Sequence, residues 1–177
     1  MQTTLFNVNK LAIAMAGLLL AFSTQAAEIT LLHAGQLLAV PGTKPTKEQT
    51  LVIKDGVIID VLQGYADTVT HNQDDTLKII DLKQAFVMPG LMDMHVHLQG
   101  ELGPKNDSQK LRMSDADVAM HSAYFAKKTL LAGFTTVRDL GAKAEQIYAL
   151  RDGINKGWVD GPRIIASGGV SVTGGHG

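Results

Sequence analysis

The sequence predicts an α/β protein in which a β-rich front part precedes parallel βαβ units. Three observations carry this. Residues 28 to 88 hold short apolar runs broken by Asp-Gly, Pro-Gly and polar loops, which is a β-sheet pattern. From Pro89 onward, apolar runs alternate with helix-period segments at strand–helix–strand spacing. The 177 residues are 45% hydrophobic and 19% charged, the composition of a globular chain and not of a disordered one.

Composition also excludes functions. The formal net charge of −1 gives no basis for binding nucleic acid or an anionic membrane surface. With no cysteine there are no disulfides and no thiolate metal sites, so any metal must use His, Asp, Glu or a modified Lys. Aromatics at 5% are too sparse for a base-stacking platform.

In chain order, the first element is a targeting segment. Lys10 is the only charged side chain before Glu28, Leu11–Phe22 is apolar, and Thr24 and Ala26 are the small residues of a cleavage site. The apolar run is shorter than the roughly 20 residues that span a bilayer. Residues 1–26 are therefore expected to be a signal peptide cut after Ala26. The mature chain would be secreted and would work in a periplasm.

Residues 27–88 are expected to form a small antiparallel β domain. In "LVIKDGVIIDVL" the Asp55-Gly56 pair favours a type I′ turn, joining Leu51–Lys54 to Val57–Leu62 as a hairpin. "EITLLHAGQLLAV" has apolar runs on either side of Ala34-Gly35. "LKIIDLKQAFVM" returns to short strands around Asp81–Gln84.

Residues 89–177 carry the βα alternation. Leu91–Leu98 is the first strand. Ser114 and Asp117 have the spacing of a capping box, opening a helix that runs to about Leu131 and stops before Gly133. "FTTVRDL" is the second strand, "KAEQIYALRDGINKG" the second helix and "PRIIASGG" the third strand.

On the first strand, Asp93, His95 and His97 share one face, and Met92, Met94 and Val96 the other. The apolar set suits covering helices. The two imidazoles, at i and i+2, can reach one divalent cation, and zinc favours neutral imidazole ligands. The alternative is a pair of core histidines hydrogen-bonded to backbone.

The segment "VMPGLMDMHVHL" resembles the first barrel strand of the amidohydrolase superfamily, which carries Pro-Gly-(Leu/Phe)-x-Asp-x-His-x-His there. "LLAGFTTVRDLG", residues 130–141, is similar to the second helix-to-strand junction of that superfamily. "GPRIIASGGVSVTGGHG", residues 161–177, resembles the third strand and following loop of its imidazolonepropionase-like branch. That branch includes metal-dependent dipeptidases acting on Xaa-Pro or on Xaa-Arg/Lys. The β-rich front part resembles the small β-sandwich of such enzymes.

The resemblance implies the N-terminal part of a (β/α)8 TIM barrel, about three βα units, preceded by a small β-sandwich-like domain. It implies metal ligation by His95 and His97, and one or two zinc ions. It makes Asp93 a support for the strand or for a ligand, and His176 a substrate contact. Arg138 is a substrate-binding candidate by the same route. From the residues alone, Arg138 and Asp139 read as a structural ion pair at the barrel mouth. His33, His71 and His121 match no motif. The loop 99–113 would be a rim or lid.

The implied reaction is hydrolysis of an amide or peptide bond, with a small peptide or cyclic amide as substrate. In the superfamily the general base is an Asp at the end of the eighth strand, and the remaining ligands follow strands four, five and six. A complete barrel takes about 250 residues, so no catalytic residue is expected within this chain. The expectation is an incomplete N-terminal portion of a secreted dipeptidase, inactive alone. The alternatives are a cyclic-amide hydrolase of the imidazolonepropionase or hydantoinase type, and a non-catalytic remnant or binding module. No nucleic acid and, after signal cleavage, no membrane is expected as partner; homo-oligomers of the full-length protein stay open.

Overall fold

The computed structural model describes residues 26–101, 103 and 112–169. The signal-peptide expectation, His176 and most of the loop 99–113 fall outside them. The chain divides into two compact units, one ending at Met88 and the other starting at Pro89.

The first unit is a four-stranded sheet of β1 (Glu28–Leu37), β2 (Thr46–Lys54), β3 (Val57–Gln63) and β4 (Thr76–Val87), in the order β3-β2-β1-β4. The hairpin β2–β3 turns at Asp55 (φ 49°) and Gly56 (φ 79°), both left-handed as a type I′ turn requires. β1 is one strand, with a register shift between Ala34 and Gln36 where a short side chain is obligatory. A Cβ on Gly35 would lie 2.2 Å from the Lys83 carbonyl oxygen. The sheet is not wholly antiparallel: β4 runs parallel to β1. The loop before β4 brings Thr76 to the start of β1, where its N–H donates to the Ala27 carbonyl at 2.9 Å. Asp75 holds that junction by accepting from Ala27 N, also at 2.9 Å. Leu31 and Ala34 are fully buried, and apolar clusters form around Ile29, Leu31 and Val52 and around Ala34, Leu37 and Leu51.

The second unit is an all-parallel sheet of β5 (Leu91–Val96), β6 (Phe134–Asp139) and β7 (Arg163–Ala166), in chain order. Helix α1 (Asp115–Leu131) links β5 to β6, and α2 (Ala144–Asn155) links β6 to β7, as parallel neighbours require. Ser114 and Asp117 form the full capping box at the start of α1. Gly133 (φ 95°) and Gly157 (φ 71°) take the left-handed conformation just beyond the two helices. The core joins Leu98, Val137 and Ile164 from the sheet side to Ala126, Ile147 and Leu150 from the helices.

The apolar face of β5 is only partly covered. Val96 packs against this core, but Met92 and Met94 are exposed, contrary to the expectation that all three lie under helices. The physical reason is that, among the described residues, the helices pack chiefly against β6 and β7 and leave this part of β5 uncovered. What this unit positions is the carboxyl end of β5 beside that of β6, with Val96 opposite Asp139.

Candidate metal centre

The candidate site begins at the end of β5. The ladder with β6 shifts register between Asp93 and Val96. There the Asp93 carboxylate accepts from the backbone N–H of His95 at 2.9 Å, a local i to i+2 bond that fixes the chain where sheet pairing is irregular. Asp93 thus holds backbone ahead of the histidines and is half-buried.

His95 and His97 both stand exposed, with ring centroids 5.3 Å apart and planes inclined by 64°. The His97 Nδ1 lies 3.2 Å from the Gly141 carbonyl oxygen. A carbonyl only accepts, so Nδ1 carries the hydrogen of this bond, and in the neutral form of the ring Nε2 is the nitrogen that holds the lone pair. His33 is the contrasting case: it is fully buried, its Nε2 donating to the Ala66 carbonyl at 2.8 Å. That is a core histidine; the exposed pair at the end of β5 is not.

These two residues suit zinc by donor type and by nearness. Among the described residues no group of three or more His, Asp or Glu side chains gathers around one point. What the described residues bring together here is one pair of neighbouring imidazoles.

Arg138 and Asp139 form no ion pair, which corrects the reading of them as a structural couple at the barrel mouth. Successive strand residues face opposite ways. Arg138 is exposed and its Nε donates to the Met94 carbonyl at 2.8 Å. Asp139 is completely buried. Its Oδ2 accepts from Leu98 N at 2.8 Å, and its Oδ1 accepts from Gly141 N at 3.1 Å. A further network ties the segment after β5 to the helices. Gln99 donates to Gln146 at 2.6 Å, and Gln146 donates to Asp115 at 3.0 Å. Lys143 donates to Asp115 at 2.7 Å, and this hydrogen bond and charge hold the Asp115 carboxyl below its ordinary range.

The sequence reading missed the roles of Asp139, Gly141 and the Gln99–Gln146 contact. The available signal was "RDLG" at a strand end, where an Asp two residues before a Gly can bond the chain locally.

Residues 86–173, which contain β5, both histidines and Asp139, match the amidohydrolase family. That match takes in about half of the chain's length, all of it from the end of β4 onward. Among solved structures, the chain is similar to a Xaa-Pro dipeptidase with methionine bound in its active site. The identity is 33% and the TM-score 0.66, over 80% of this chain and 33% of that one. A prolidase complexed with N-methylphosphonate-L-proline is 26% identical, with a TM-score of 0.59, over 79% of this chain and 32% of that one. A. niger ochratoxinase is also 26% identical, with a TM-score of 0.60, over 80% and 31%. The chain spans about a third of the length of the solved structures it matches. No curated protein sequence matches it. The three parallel strands and their helices are accordingly a partial amidohydrolase TIM barrel.

Proposed function

We propose that the protein is a metal-dependent hydrolase of amide or peptide bonds, a secreted dipeptidase of the Xaa-Pro or Xaa-Arg/Lys type that uses zinc. The observation that carries this is the exposed His95–His97 pair at the end of β5, with His97 turned so that Nε2 holds the lone pair of the neutral ring. The family is in general metal-dependent, and similarity to a Xaa-Pro dipeptidase and a prolidase supports the substrate class. The leader-like residues 1–26 support secretion.

When bound, the metal supplies a water acidic enough to be a nucleophile near neutral pH and polarises the scissile carbonyl. The chain's own residues do the holding. His95, on β5, and His97, just beyond its end, offer two ring nitrogens close together. Asp93 holds the backbone that leads into His95. Arg138, pinned through Nε to Met94, keeps its other N–H groups for the carboxylate of a small peptide, a geometry guanidinium matches well. His176 is assigned a substrate contact by resemblance alone.

The test uses the full-length protein, assayed with Xaa-Pro and Xaa-Arg/Lys dipeptides beside imidazolones and hydantoins. Dipeptide turnover that disappears together with bound zinc in His95→Ala and His97→Ala is the expected result. Turnover of cyclic amides alone overturns the substrate class. Full zinc content in both variants overturns the location of the centre, and partner binding without metal or turnover favours a non-catalytic module.

A further inference from the structure

We propose that Asp139 is a positioning residue for the metal centre, holding His97 in place through the Leu98 and Gly141 amides and selecting the ring tautomer whose Nε2 is free. The proposal rests on the reading of His97 as a metal ligand. Asp139 is fully buried on β6, yet it contacts neither ring. Its Oδ2 takes the N–H of Leu98, which belongs to the peptide unit directly after His97, at 2.8 Å. That bond fixes the backbone from which the imidazole departs. Its Oδ1 takes the N–H of Gly141 at 3.1 Å. The carbonyl of that same Gly141 lies 3.2 Å from His97 Nδ1. One carboxylate therefore sets both the root of the His97 side chain and the acceptor that meets its ring.

Gly141 gives independent support. Its backbone lies outside the left-handed region, so no dihedral constraint demands glycine there. The constraint is the ring: a Cβ would stand 2.5 Å from His97 Cε1 and 2.7 Å from Nδ1. The turn after β6 is thus shaped around this imidazole. A neutral imidazole otherwise shares its proton between both nitrogens. An acceptor at Nδ1 holds the proton there and raises the donor strength of Nε2.

The test compares the intact protein with its Asp139→Asn and Gly141→Ala variants, first without metal and then with zinc. The Asp139→Asn change keeps the size but leaves one acceptor oxygen where two N–H groups need one each. The Gly141→Ala change keeps Asp139 and the backbone but displaces the ring, and it serves should Asp139→Asn fail to fold. The primary readout is the long-range proton–nitrogen spectrum of His97 in the metal-free neutral state. Wild type should show the Nδ1–H pattern, and both variants should lose it. Zinc affinity should fall about 10- to 100-fold in each, and Gly141→Ala should cost nothing more in a His97→Ala background. A folded Asp139→Asn or Gly141→Ala variant that retains the Nδ1–H pattern overturns the proposal, because Asp139 then serves stability alone. If His97→Ala leaves zinc affinity unchanged, the metal reading fails, while the spectrum still decides whether Asp139 and Gly141 orient the ring.

Discussion

Replacing Asp139 by Ala removes two hydrogen bonds from a point that solvent does not reach. The Leu98 N–H, 2.8 Å from one carboxylate oxygen, belongs to a residue only 3% exposed. The Gly141 N–H, 3.1 Å from the other, lies in the partly buried turn after β6, which draws its share toward the lower value below. A hydrogen bond to a charged group contributes about 1.5–3 kcal/mol, and a buried donor left unpaired costs a similar amount. Two such losses give about 3–6 kcal/mol, and relief of the buried carboxylate's own desolvation favours the lower end. Domains of this kind are stable by about 5–15 kcal/mol, so the variant should be marginal. With a urea slope of about 1–3 kcal/mol per molar, a 3 kcal/mol loss moves the unfolding midpoint down by at least about 1 M. Far-UV circular dichroism in urea reads the midpoint, and hydrogen exchange at the Leu98 and Gly141 amides localises the effect. A loss below about 1 kcal/mol, with both amides still protected, would refute the reasoning.

Other outcomes follow from the same geometry. Ser114→Ala should cost about 1 kcal/mol by breaking the capping box, seen as faster exchange of the Asp117 amide. Asp117 accepts first from the Ser114 hydroxyl and then from its backbone N–H, which holds its carboxyl below the ordinary value of 3.8. Because the folded-state value is depressed, the cap's stabilisation is complete above 3.8 and is lost as pH falls through the lower folded value. A carbon-detected titration should place the Asp117 midpoint below 3.8 in wild type and move it up toward that value in Ser114→Ala, where the backbone N–H still donates; a wild-type midpoint at or above 3.8 contradicts this. Gly35→Ala sets a Cβ against the Lys83 carbonyl oxygen, a backbone atom that cannot swing aside. It should destabilise the first unit by about 1–3 kcal/mol in chemical denaturation, and a neutral result would mean that the bulge in β1 relaxes freely.

The features legible in the sequence are those set by neighbours along the chain. The Asp55-Gly56 turn needs two adjacent residues that tolerate positive φ, and both adopt it. The α1 capping box needs Ser114 and Asp117 three apart, and both reciprocal bonds form. Helix stops at Gly133 and Gly157 follow the same logic. Pairing between distant segments was less legible. The alternation in β4 reads alike whether its partner runs parallel or antiparallel, and the parallel course along β1 comes from the Asp75–Ala27 junction. Exposure of Met92 and Met94 depends on which strands the helices cover, not on the alternation within β5. At the candidate site, the i to i+2 spacing of His95 and His97 places both rings on one side. The bond from His97 to Gly141 depends on contact across β5 and β6, which local spacing does not encode. Arg138 and Asp139 are adjacent in sequence yet diverge, since a strand sends neighbouring side chains to opposite faces.

If His95 and His97 hold one cation together, both rings must respond to it at the same point. The most direct measurement is a zinc titration of the metal-free protein, following the ring nitrogen resonances of both histidines. Nε2 of His97 and a ring nitrogen of His95 should shift in step and saturate at the same zinc equivalent. Independent shifts at different stoichiometries, or silence at either ring while zinc binds elsewhere, would contradict the account.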